Sequence, residues 1–252
     1  MQQNPHLDRH ARLARKALGL ALALGVVVGV SAPAVAAPSG AKGDRQNGAQ
    51  GDARALAARP AGIGPRTWSH VPGSAQQIIL VQGDGWGSSH NTVSLWQFSG
   101  GGWQRVAQWS GHNGERGWSS DHYAGDMHTP TGVYTLHDAG GRLPNPGTRL
   151  SYQYSRGIYA LGGHSANGAS RAHLFDYVVA IDYNRVPGSA PTDQRRPMGY
   201  YRGGGIWFHV TDGNWTAGCV SNPENDMRLT ERWLDPAAHP VIVMGPSSLD
   251  AR

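Results

Sequence analysis

The chain has one cysteine, Cys219, in 252 residues, so no disulfide can close within it. The fold must hold by packing alone. It also lacks a basic block. Residues 1–36 carry Arg9, Arg12, Arg15 and Lys16 against Asp8, and setting them aside leaves 18 Lys+Arg against 16 Asp+Glu. A balance that close to neutral offers no stripe for nucleic acid, and DNA or RNA as a partner is set aside. No apolar run reaches the ~20 residues that a bilayer span comfortably needs. No internal repeat is present. No His-Glu-x-x-His spacing is present either, which argues against a zinc peptidase even though His112, His122 and His128 lie close together in sequence.

What is present begins with an export signal over residues 1–36. Arg9 to Lys16 make a positive start, and Ala17–Val30 is an uncharged run of Ala, Leu, Gly and Val. Ala34-Val35-Ala36 offers small residues to a signal peptidase. Pro38 disfavours a cut after Ala37, so cleavage is expected after Ala36. No arginine pair precedes the run, which points to the general secretory route. An uncleaved anchor is the alternative. Residues 37–66 are rich in Gly, Ala, Pro, Ser, Gln and Arg, with almost no large apolar side chains, and read as a flexible linker. Residues 67–247 then form one domain large enough for a real core.

That domain reads as mostly β, a sandwich or barrel with one short C-terminal helix. Short runs of branched and aromatic residues are expected as strands at Gln76–Val81, Val93–Phe98, Trp103–Trp109, Thr129–Leu136, Tyr177–Asp182, Gly203–Val210 and Pro240–Gly245. Ser99–Gly102 suits a hairpin loop. The 36 glycines are spread throughout and favour turns over long helices. The one helix is expected after Asn222 as cap and Pro223 as first residue, stopping at Asp235-Pro236. Its apolar residues fall on two faces, Met227 with Leu234 and Leu229 with Trp233.

The lone thiol carries the chemistry. A free cysteine is either a buried small hydrophobe or a nucleophile. Cys219 follows Gly218, which permits close approach and bares backbone N–H groups. A helix start a few residues on would lower the thiol pKa. His209 lies upstream at the end of "IWFHV", and the loop "TDGNWTAG" between them can fold back. His209 is therefore the candidate base, with a strand-end histidine bonded to backbone as the bland alternative.

These segments resemble a known family. "TPTGVYTL", then "FHV" and "TAGCV", then "LTERWLDPAAHPVIVMG" are similar to the L,D-transpeptidase catalytic domain, the YkuD family, over about Trp68 to Gly245. The commoner family pattern has a second histidine where this chain has Ala217, and often an arginine where it has Ser221. With "YN" at Tyr183-Asn184 and "IWFH" at 206–209, the chain resembles a divergent branch with T-x-G-C-V.

The resemblance implies a β-sandwich-like fold and a secreted wall enzyme acting on peptidoglycan stem peptides. Cys219 would be the nucleophile and His209 the base. The N–H of Cys219, with that of Gly218 or Ala217, would hold the oxyanion, and Thr216 would orient the loop. Tyr183, Asn184 and Trp215 are candidates to bind substrate, with core packing or strand capping as the alternative for each. No metal or organic cofactor is needed, and a monomer is expected. An amine acceptor gives 3→3 cross-links, and water gives carboxypeptidase activity. A wall-binding module with an inert cysteine is the alternative that the missing second histidine motivates. "NWT" at Asn214 matches a glycosylation acceptor, and in a bacterial wall enzyme that match is accidental.

Overall fold

Strand β1 (Gln77–Gly83) is buried along nearly its whole length, as its unbroken apolar run requires. In the computed structural model, which describes residues 59–247 and 250, it lies inside a ten-stranded sheet. The strands that follow are β2 (His90–Ser99), β3 (Gly102–His112), β4 (Trp118–Ser119), β5 (Thr129–Pro130), β6 (Gly132–Thr135), β7 (Asp138–Gly141), β8 (Ser151–Tyr154), β9 (Val178–Ala180), β10 (Trp207–Val210), β11 (Val220–Asn222) and β12 (Val241–Pro246). The helices are α1 (Pro65–Trp68) and α2 (Glu224–Trp233). The chain is mostly β, as expected.

The large sheet runs β6-β12-β1-β2-β3-β11-β10-β9-β7-β8, and β4 pairs with β5 in a small separate sheet. β2 and β3 form the expected hairpin. Its turn residues Gly100 and Gly101 have φ of 59° and 80°, a left-handed conformation that glycine adopts freely. Just beyond β9, the Asp182 amide donates to the Thr135 carbonyl at the end of edge strand β6 (3.2 Å). The Thr135 hydroxyl donates to the Asp182 carboxylate (2.6 Å). The sheet therefore curls until one edge meets its far half.

Alternation decides which side chain faces where. Ile79, Val81, Leu95, Phe208, Val210, Val220, Ile242 and Met244 pack on one face with Met227 and Leu234. Ile78, Leu80, Val241 and Val243 face the other way, onto Ile63, Val71 and Ala75. Phe208, Val210 and Val220 thus turn inward, and their neighbours Trp207, His209, Cys219 and Ser221 are left on the opposite face.

Several boundaries differ from expectation. Within the stretch expected as linker, Pro60 and Ile63 are buried, and α1 begins at Pro65. The export signal and the rest of the linker lie outside the described residues. "TPTGVYTL" splits between two sheets at Thr131. The strand expected from Gly203 starts at Trp207, because Gly203, Gly204 and Gly205 all have positive φ. Asn222 does not cap α2. It ends β11, fully buried, and Pro223 takes the cap position with no side-chain bond. Leu229 is exposed, while Met227 and Leu234 are buried as core. Among the described residues, no helix is long and apolar enough to cross a membrane.

Candidate active site

β10 and β11 run parallel, with His209 beside Ser221 and Phe208 beside Val220. Cys219 precedes Val220 and so stands on the same face as Ser221 and His209. Strand geometry puts the Cys219 and His209 α-carbons roughly 8 Å apart, two residues along and one strand across. Both line one cleft of ≈ 270 Å³, together with Thr216, Ala217 and Trp215.

The opposite wall is the segment between β8 and β9, which contributes Leu161, His164, Arg171, Leu174 and Phe175. The Phe175 ring meets Trp207 (5.1 Å, 80°) and His209 (5.2 Å, 86°) edge to face. Ser165 donates to the Asp212 carboxylate, and the Asn167 side chain donates to the Asp212 carbonyl (3.0 Å). Asp212 also accepts the Asn214 amide (3.1 Å). The two walls are tied together at their rim.

His209 is 5% exposed, and its Nδ1 lies 2.7 Å from the Val210 carbonyl. A carbonyl only accepts, so Nδ1 carries the proton and Nε2 holds the lone pair. Burial pushes the imidazole pKa down to about 4, against the pull of the Val210 carbonyl, the Asp212 carboxylate and the Leu174 carbonyl. The Cys219 sulfur accepts the Trp207 amide (3.4 Å) and lies 3.8 Å from the Gly205 carbonyl. Burial pushes its thiol up to about 11, with the Trp207 amide opposing. The resting pair is therefore a neutral thiol and a neutral imidazole. The expected lowering of the thiol by a nearby helix start does not hold. β11 intervenes, so the α2 terminus is a whole strand away.

The nucleophile loop is held by hydroxyls. Thr216 donates to the Cys219 carbonyl (2.7 Å) and accepts the Gly218 amide (3.1 Å). Thr129 donates to the same carbonyl at 3.4 Å and accepts the Gly114 amide at 2.8 Å. The Gly218 amide is thus occupied, and of the expected oxyanion donors only the Cys219 and Ala217 amides remain candidates. Gly218 has φ of 138°, and a Cβ there would stand 2.9 Å from the His128 carbonyl. Glycine is required for that approach.

Tyr183 and Asn184 do not join the cleft. Tyr183 is buried, its hydroxyl donating to the carbonyls of Arg202 (2.8 Å) and His122 (3.3 Å). Asn184 donates to the Gly199 and Gly203 carbonyls and accepts the Met198 amide, with φ of 45°. Both brace the loop before β10, and their alternatives as structural residues fit their burial. Trp215 is 39% exposed at the cleft mouth. The three close histidines separate: His122 and His128 share Asp126, while His112 meets Thr211 and His90. The wall segment at 161–175 joins the cleft with no motif in the sequence to mark it. Its Gly, Ser and Ala content gives no periodic signal.

The fold and cleft define a β protein that presents a histidine on one strand and a cysteine just before its parallel neighbour, both lining one cleft. The chain belongs to the YkuD family, the L,D-transpeptidase catalytic domain, which matches residues 74–243. No curated protein matches the sequence. Among solved structures it is similar to Bdellovibrio bacteriovorus Bd1075, at 15% identity and a TM-score of 0.38, over 68% of this chain and 48% of that one. It is also similar to the helical cell shape determining protein Pgp2 from Campylobacter jejuni, at 16% identity and a TM-score of 0.38, over 66% and 46%. The chain spans about half the length of each.

Proposed function

We propose that the protein is a peptidoglycan L,D-transpeptidase, exported by the secretory pathway, that works by cysteine acyl transfer on stem peptides. Family membership supports the reaction class. The observation that carries the residue assignment is that Cys219 and His209 line one cleft on one sheet face.

The electrostatics fit a general-base route. His209 Nε2 takes the thiol proton as sulfur attacks the carbonyl at the L-centre of diaminopimelate in a tetrapeptide stem. The Cys219 and Ala217 amides receive the oxyanion. The C–N bond to D-Ala breaks, His209 returns the proton to the leaving amine, and a thioester remains. An amine of a second stem then attacks the thioester and passes a proton through His209 to the departing thiolate. The product is a 3→3 cross-link. Both groups begin neutral, so the thiol need not be ionised before substrate arrives.

The test compares wall fragments made with the wild type and with Cys219→Ala. Wild type is expected to release D-Ala and to form 3→3 links, and the variant neither. Wild type that does neither ends the transpeptidase reading. D-Ala release without links makes the protein a carboxypeptidase with the same residues.

A further inference from the structure

The cleft contains one cationic side chain whose role the proposed chemistry does not use. Arg171 lines the same cavity as Cys219 and His209, on the opposite wall. Among the described residues, its guanidinium has no ion-pair or hydrogen-bond partner. Its backbone does the structural work. The Arg171 amide donates to the Gly163 carbonyl (3.1 Å), and its carbonyl accepts the Leu174 amide (3.2 Å). Phe175, next along, is the residue packed on His209. The side chain is therefore carried on a fixed stretch of wall and left free at its charged end.

The acid nearest in the cleft lining, Asp212, is already engaged by Ser165 and the Asn214 amide. A second polar group is also unspoken for. Ser221, 1% exposed and beside His209, has a hydroxyl with no partner, and it lines the same cavity. Buried polar groups without partners inside a cleft are satisfied by what binds there. A planar guanidinium without a counter-ion matches a carboxylate in a bidentate pair.

We infer that Arg171 reads a free carboxylate on the acyl donor and sets the cleft's preference for it. This rests on the proposed reading of the donor as a stem peptide. Such a peptide offers two carboxylates close to the scissile amide: the terminal one on D-Ala and the distal one on diaminopimelate. Arg171 is a specificity residue, and the chemistry of Cys219 and His209 proceeds without it.

The experiment measures binding, so that it does not depend on turnover. The Cys219→Ala chain, with and without Arg171→Gln, is titrated with the tetrapeptide. Two further donors are titrated alongside it, one amidated at D-Ala and one amidated at the distal diaminopimelate carboxylate. Arg171→Gln is expected to weaken the unmodified peptide at least about tenfold, the cost of a charge-assisted pair. Amidation at one position is expected to abolish that difference, which names the carboxylate. An equal loss for all three peptides, no loss, or no binding of the tetrapeptide overturns the inference. If Arg171→Gln melts below its parent, Arg171→Lys is read in its place, keeping charge but not the fork. Absence of turnover in wild type, with carboxylate-dependent binding intact, sinks the transpeptidase reading and leaves Arg171 assigned.

Discussion

Thr216 donates to the carbonyl of Cys219 across 2.7 Å while its oxygen accepts the Gly218 amide at 3.1 Å. One hydroxyl thus fixes both peptide groups around the nucleophile. Thr216→Val keeps the size and removes both bonds, leaving a buried amide unpaired at a cost of about 1–3 kcal/mol. We expect kcat/KM for D-Ala release to fall by at least about tenfold, and Thr216→Ser to restore most of it. Full activity in the valine variant would show that the loop holds its shape without the hydroxyl.

The neutral pair sets the pH behaviour. The folded His209 pKa, about 4, lies below the unfolded value of 6.5. The unfolded chain binds the extra proton first as pH falls from 6.5 toward 4, so stability drops across that window and is fully present above it. Cys219 acts at the other end. Its folded value of about 11 lies above 9.0, so stability is lost as pH rises from 9 toward 11. Melts of wild type against His209→Gln and Cys219→Ala check this, each variant losing one slope. Alkylation of Cys219 by iodoacetamide should still be rising with pH above 9. A plateau near neutrality would mean an ionised thiol and a different mechanism.

Arg185 is buried between Asp138 (3.0 Å) and Asp182, each of the three side chains 2–3% exposed. Asp182 also anchors Thr135, where the sheet curls on itself. Arg185→Met removes the guanidinium from two buried carboxylates, leaving Asp182 to Thr135 and His137 and Asp138 to the Gly188 amide, and breaking such a network costs about 3–5 kcal/mol. Urea unfolding should show that loss. A change under about 1 kcal/mol would mean that water replaces the guanidinium.

Glu231 on α2 is fully buried, and burial pushes its carboxyl well above the usual range, with the Val178 amide opposing only in part. The fold therefore favours the neutral acid more than the unfolded chain does. Its contribution is therefore present below the unfolded value of 4.5 and lost as pH rises through the folded one. Glu231→Gln should remove that decline, so that its melting temperature exceeds wild type's at pH 8 by more than at pH 4. An equal difference at both would refute the assignment.

That Cys219 and His209 could reach one cleft was legible because strand, loop and thiol follow each other in one short stretch. The strand that sets them on one sheet face was not. Val220–Asn222 is too short for a period of two to show, and Asn222 followed by Pro223 looks like a helix start. Tyr183 and Asn184 stayed open between two roles by residue type. An aromatic and an amide suit a binding site equally well as a brace, and only burial separates the two. Arg171 is one arginine among many until the β8–β9 connection lays residues 161–175 along the cleft beside β10.

β12, the last of the described strands, lies between β1 and β6. Its register with β1 runs from Ile78↔Val241 to Gly83↔Pro246. The earliest strand cannot gain its second neighbour until the final one has been made. Such a non-local pairing folds late and slowly. A chain stopped short of residue 241 would lose an interior strand rather than an edge, and would bare two apolar flanks to aggregation. Closure of the sheet interior therefore waits on residues 241–246, made long after the strand they flank.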